Sequence, residues 1–87
     1  MYTIREETIK DSFDIRLKTK ESFKFLSVTC DSRNNPVIHY LEAREDKTKI
    51  TKIFRFFQTS DIIDKNYLFI SCVVINFYTY QLFEVPE

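Results

Sequence analysis

The chain has 87 residues, 44% of them hydrophobic and 16% aromatic, and its 13 Lys/Arg balance 13 Asp/Glu. That length supports one small domain, residues 1–87, which buries only roughly 60–65% of its unfolded surface. Zero net charge argues against a dedicated duplex nucleic-acid binder. The charge is unevenly placed: residues 1–55 carry 12 Lys/Arg against 9 Asp/Glu, and residues 56–87 carry 1 against 4. The N-terminus lacks a basic region followed by an apolar one, so no secretory signal is expected. The uncharged run Tyr67–Phe83 is too short and too polar for a membrane span. Cys30 and Cys72 stand in apolar contexts without a Cys-x-x-Cys pair and read as two buried thiols of a reduced compartment. A cytoplasmic location is expected.

In chain order, Met1–Thr8 supplies a short first strand around Tyr2 and Ile4. In Ser12–Lys18, Phe13, Ile15 and Leu17 alternate with Asp14, Arg16 and Lys18, the pattern of a half-buried strand. After a polar turn at Thr19–Ser22, the strand Phe23–Cys30 changes parity between Phe25 and Leu26, which predicts a β-bulge. Asp31-Ser-Arg-Asn-Asn-Pro36 is a strong turn, and Val37–Arg44 returns from it to complete a hairpin. Glu45-Asp-Lys-Thr is a second charged turn. Lys49–Thr59 follows, with Ile50, Phe54 and Phe56 on one side and Ile53, Arg55 and Phe57 on the other. Thr59–Asn66 is the longest connection, where Ser60 is placed to cap a helical turn over Asp61–Asp64.

Tyr67–Asn76 is the stretch around which the rest is expected to be organised. It is apolar on both strand faces, so it reads as the central strand of a packed β-core. Its β-branched content favours strand over a buried helical segment. Asn76–Tyr78 turns the chain into Thr79–Val85, and Pro86 stops that strand. The sequence has no Gly. Asn34, Asn35, Asn66 and Asn76 are the expected substitutes where φ is positive, and Gly-based phosphate loops are excluded. The fold class is therefore all-β: a small antiparallel sandwich or strongly curved sheet of six or seven short strands.

Chemistry-bearing residues are few. His39, the sole histidine, lies between Ile38 and Tyr40 and reads as structural or surface. With Cys30 and Cys72 it matches no zinc spacing. The carboxylate pairs Glu6-Glu7 and Glu45-Asp46 sit in polar stretches, where nothing raises a pKa for acid work. No catalytic residue, metal or cofactor is expected, and the chain reads as a non-enzyme. Lys49-Ile-Thr-Lys-Ile-Phe-Arg-Phe-Phe resembles a stacking platform for bases, or else a core strand with snorkelling charges. Arg55, between Phe54 and Phe56, calls for an anionic partner, either internal or a ligand.

Six segments carry a resemblance: Phe13–Leu17, Phe25–Val28, Asn34–Glu42, Phe54–Asp61, Tyr67–Val73 and Phe77–Glu84. Over roughly residues 12–84 the chain resembles a family of short uncharacterised proteins of tailed phages and bacteria. Members carry an Ile-Leu-Ser-Val-like strand, a turn with Pro, a Thr-Gly-His-like loop and a C-terminal Val-Trp-His-Val-Phe-Glu-like strand. Thr59 matches that loop, but Ser60 and Asp61 replace its Gly and His, and Tyr80-Gln81 replaces the Trp-His pair. The resemblance implies a phage or prophage setting, hence the cytoplasm of a bacterial host, and no mechanism.

The resulting expectation is a binding protein that sequesters a small anionic ligand, such as a nucleotide signal of host defence. Its expected contacts are Arg55, Thr59, Ser60, Tyr78 and Tyr80. The alternative is an inhibitor or adaptor that binds a host protein through an exposed strand edge or aromatic patch. In a plainer reading Thr59-Ser60 only caps a turn and the tyrosines fill the core. A homo-oligomer, dimer or larger, burying Phe77 or Tyr78, is expected because a thin core leaves aromatics uncovered.

Overall fold

Alternation decides which side of each strand meets the core. In β2 (Asp14–Thr19), Ile15, Leu17 and Thr19 are buried while Asp14, Arg16 and Lys18 are exposed. The computed structural model describes residues 1–10 and 14–86, so Phe13, expected at the start of this strand, lies outside the described residues. The other strands are β1 (Tyr2–Thr8), β3 (Lys24–Cys30), β4 (Pro36–Ala43), β5 (Ile50–Gln58), β6 (Leu68–Ile75) and β7 (Tyr78–Val85). They form two antiparallel sheets, one of three strands in the order β1-β4-β3 and one of four in the order β2-β5-β7-β6. The chain is thus all-β, a small sandwich. No helix among the described residues is long and apolar enough to cross a membrane.

The inner faces meet in one core. Ile38 and Tyr40 of β4 pack with Phe54 and Phe56 of β5, Leu82 of β7, and Val73 and Ile75 of β6. Leu82 at 0% and Phe54 and Ile38 at 1% exposure are the most enclosed, because β7, β5 and β4 lie in the middle of their sheets. Phe23 closes the core from the β2–β3 turn, its ring 4.9 Å from Tyr40 and 5.8 Å from Phe54. On one side β3 and β6 come close across the layers. On the other, β1 and β2 stay apart.

Three sequence expectations are corrected here. Tyr67–Asn76 is not the central strand: β6 lies at the edge of its sheet, and Leu68, Phe69 and Val74 are exposed. Its double-sided apolar pattern reflects an outer face that no layer of the described residues covers. The cysteines are free, as read, but neither is buried: Cys72 is exposed on that edge and Cys30 half-buried. Thr59–Asn66 contains no helical turn. Thr59 and Ser60 are the middle of a β-turn closed by the Asp61 amide donating to the Gln58 carbonyl at 3.1 Å.

The turns supply what glycine normally would. In the β3–β4 hairpin Asp31 Oδ1 accepts from the Arg33 and Asn35 amides at 2.8 and 2.9 Å, and Asn34 takes φ 63°. A register shift between Phe25 and Ser27 marks the bulge expected in β3. Asn76 and Phe77 form the two-residue β6–β7 turn with φ 53° and 73°, the pattern of a type I′ turn. Phe77 is 97% exposed. A phenylalanine in the left-handed region costs roughly 1–2 kcal/mol, and here burial returns nothing. Phe77→Gly is expected to raise stability by about 0.5–1 kcal/mol, a rise in Tm of several degrees in dilute solution, after glycine's unfolded-state entropy is set against the relief. Thermal denaturation followed by circular dichroism checks this.

Candidate functional site

The gap between the two sheets follows from the sequence of β1. Its register with β4 points Arg5 and Glu7 towards the interior, opposite Tyr40 and Ile38. Neither side chain can fill a core, so β1 and β2 are not drawn together. A cleft of about 780 Å³ opens there, a volume typical of small-molecule sites. Arg5, Lys18, Lys20, Lys47 and Lys49 line it, against two carboxylates, Glu42 and Asp46. A shallower depression of about 410 Å³ shares Lys18 and continues past Lys10 and Arg16. Among the described residues, seven of the 13 Lys/Arg therefore border this one side, with four carboxylates. Among the described residues none of Lys18, Lys20, Lys47 and Lys49 forms an ion pair.

The wall of the cleft is a fixed polar network. Glu42 is buried, its carboxylate accepting from the Thr19 hydroxyl, and Arg5 Nε lies 3.9 Å away. Burial pushes the Tyr40 phenol above its ordinary value, and the Glu42 charge adds to this. The rim is stitched by side-chain caps. The Ser22 amide donates to Asp46 Oδ2 at 2.9 Å, the Thr48 amide to Asp46 Oδ1 at 2.8 Å, and the Glu21 amide to Thr48 Oγ1 at 2.9 Å. The Ala43 amide donates to Ser22 Oγ at 2.9 Å. Asp46 is thereby a structural carboxylate, held far below the usual range by the Thr48 hydroxyl and amide and by Ser22. It fixes the loop from which Lys47 and Lys49 project.

The residues expected from sequence lie elsewhere. Arg55 sits on the outer face of the four-stranded sheet, where its Nε is 2.6 Å from Asp14 Oδ1 and its Nη1 donates to the Tyr67 hydroxyl at 3.2 Å. Its anionic partner is internal. Thr59 and Ser60 occupy the turn after β5, and Ser60 has φ 81°. The Gln58–Tyr80 register brings that turn to the same end of the sheet as Tyr78 and Tyr80. Tyr80 faces inward and packs edge-on against Phe56 at 6.4 Å, while Tyr78 is exposed. Arg55 points to the opposite face from Tyr80, so the five do not form one site, and none of them lines the cleft. His39 is half-buried on the outer face of the other sheet, its Nε2 3.0 Å from Thr29 Oγ1. Among the described residues no cluster of His, Cys, Asp and Glu is placed to hold a metal ion.

Two sequence signals pointed to the cleft. Arg5 and Glu7 give β1 no apolar inner face, and Asp46-Lys-Thr48 has the spacing of an Asx turn. Because the folded-state pKa of Asp46 is depressed, its stabilisation is full above the unfolded value near 4 and is lost as pH falls through the lower folded value. Asp46→Asn is expected to lower Tm at pH 7, and the two proteins' melting curves should converge as the pH drops below about 4. A difference that stays constant with pH would contradict this role. No family model, curated protein or solved structure matches the chain.

Proposed function

We propose that this chain is a non-enzymatic binding protein that holds a small polyanionic ligand in the cleft between β1 and β2. The observation that carries this reading is the convergence of five cationic residues on one cleft of ligand size, in a chain with no net charge. Side chains on β1, β2 and the 44–49 loop approach it from three directions, as multidentate phosphate or carboxylate binding requires. Among the described residues the lining holds no aromatic ring, and Ile50 is its one large apolar residue. Recognition therefore runs through charge and hydrogen bonds rather than base stacking. A nucleotide with several phosphates has the right charge for this volume, and sequestration of such a signal needs no catalytic group.

Calorimetry with linear and cyclic nucleotides and inorganic tripolyphosphate tests the reading. At least one is expected to bind with Kd below about 100 μM at low salt, weakening as salt is raised. Lys47→Ala and Lys49→Ala should each weaken it about two- to fivefold, the worth of a partly exposed charge contact. Glu42→Gln keeps an acceptor for Thr19 but removes the negative charge, so it should tighten binding by about the same factor. Arg55→Ala, on the outer face, should change Kd by less than about twofold. Absence of binding by every anion in the panel sinks the proposal.

A further inference from the structure

We infer that the β6–β7 hairpin pairs edge to edge, through β6, with a second copy of this chain. The sandwich has four edge strands. Three carry the usual protection: Arg5, Glu6 and Glu7 on β1, Asp14, Arg16 and Lys18 on β2, and Lys24 with a bulge on β3. β6 has neither charge nor proline. Beyond its own register shift between Phe69 and Ser71, Ser71–Ile75 runs regularly beside β7 and offers its other edge unpaired. β3 passes close to β6 across the layers without joining its sheet.

Near β6 the outer face of this sheet is aromatic as well. Phe83 packs edge-on against Phe69 at 5.5 Å and Phe57 at 5.6 Å, and Phe57 lies 6.0 Å from Tyr67. Arg55 on that face is paired with Asp14, and the face's other cations, Arg16 and Lys18, stand on β2 at the far edge of the sheet. The hairpin leaves Leu68, Phe69, Val74, Phe77 and Tyr78 between 55% and 97% exposed. Together these amount to on the order of 500–700 Å², most of the roughly 800 Å² per partner of a specific complex. Phe77 adds an independent sign. Its strained φ of 73° holds a ring in solvent at a position that suits glycine, a cost explained by a contact made outside the protomer.

The occupant follows from charge. From Tyr67 to Phe83 there is no charged residue, so a partner strand bearing charges would leave them unpaired at the joint. Antiparallel pairing about a two-fold axis places β6 against the one edge known to match it, its own copy. It also joins the two outer aromatic faces into one.

Sedimentation equilibrium at tens of micromolar is expected to give twice the 10.5 kDa chain mass. Val74→Lys places a charge on the paired edge at an exposed position, and should raise the dimer dissociation constant about 100-fold or more. Ile4→Lys, equally exposed on β1, should change it by less than about twofold. Phe77→Gly removes the projecting ring while suiting the turn, so it stays folded and should weaken the dimer about tenfold. A parent protein that stays at 10.5 kDa, alone or bound only to a different protein, overturns the inference. So does dimerisation of both Val74→Lys and Phe77→Gly at parental strength.

Discussion

Burial of Phe54 and Leu82 beneath Ile38 and Tyr40 is the contact on which the rest of the structure depends. It joins the middle of one sheet to the middle of the other, and removing a side chain such as Phe54 from such a core typically costs about 3–5 kcal/mol. An 87-residue chain has material for only two layers. Once β4 covers β5 and β7, nothing remains to cover the outer rings of Phe57, Phe69 and Phe83, which pack on one another instead. The uncovered aromatic face is a direct result of spending the large residues on both sides of one sheet.

The same limit produces the cleft. A sandwich closes along a side only where both edge strands bring apolar inner residues. β3 and β6 do so through Val28, Val73 and Ile75, all buried. On the opposite side β2 contributes Ile15 and Leu17, but β1 brings Arg5 and Glu7. The layers therefore part, and the polar groups left between them must be satisfied locally. Thr19, Glu42 and Arg5 satisfy one another there, and Asp46 with Ser22 and Thr48 fixes the rim. Among the described residues no buried side-chain nitrogen or oxygen lacks a hydrogen-bond partner, so the cleft is held open by a completed network.

Local pattern made much of this legible from sequence. Strict alternation located β2, the parity change at Phe25–Leu26 located the bulge, and Asp31–Pro36 located the hairpin turn. Strand order was not legible, because it depends on which edges meet across the layers. β6 therefore read as central when it is peripheral: an apolar pattern on both faces reports a need for cover, and not the presence of it. The left-handed positions were half legible. Asn34 and Asn76 have the residue type that suits positive φ, whereas Ser60 and Phe77 have not. The aromatic and basic interleaving around Arg55 marks no open anion site, because Asp14 closes it. The lysines that converge on the cleft are scattered through separate segments, and only the fold brings them together.

The two features lie on opposite sides of the molecule, and this constrains how they act together. In the four-stranded sheet β2 and β6 are the two outermost strands, with β5 and β7 between them. At about 4.8 Å per strand, the cleft beside β2 stands some 14 Å from the β6 edge. A dimer joined through β6 thus leaves the cleft of each copy open at the far ends of a continuous sheet. In such a dimer neither copy would contribute a residue to the other's cleft, so any ligand binding would be independent in the two. Coupling would have to pass through β5 and β7, the strands that hold Phe54 and Leu82. Phe54 and Leu82 are almost wholly enclosed, and a close-packed core of this kind resists a shift between two arrangements. Rigid central strands would therefore keep the proposed cleft site and the proposed β6 joint independent of each other.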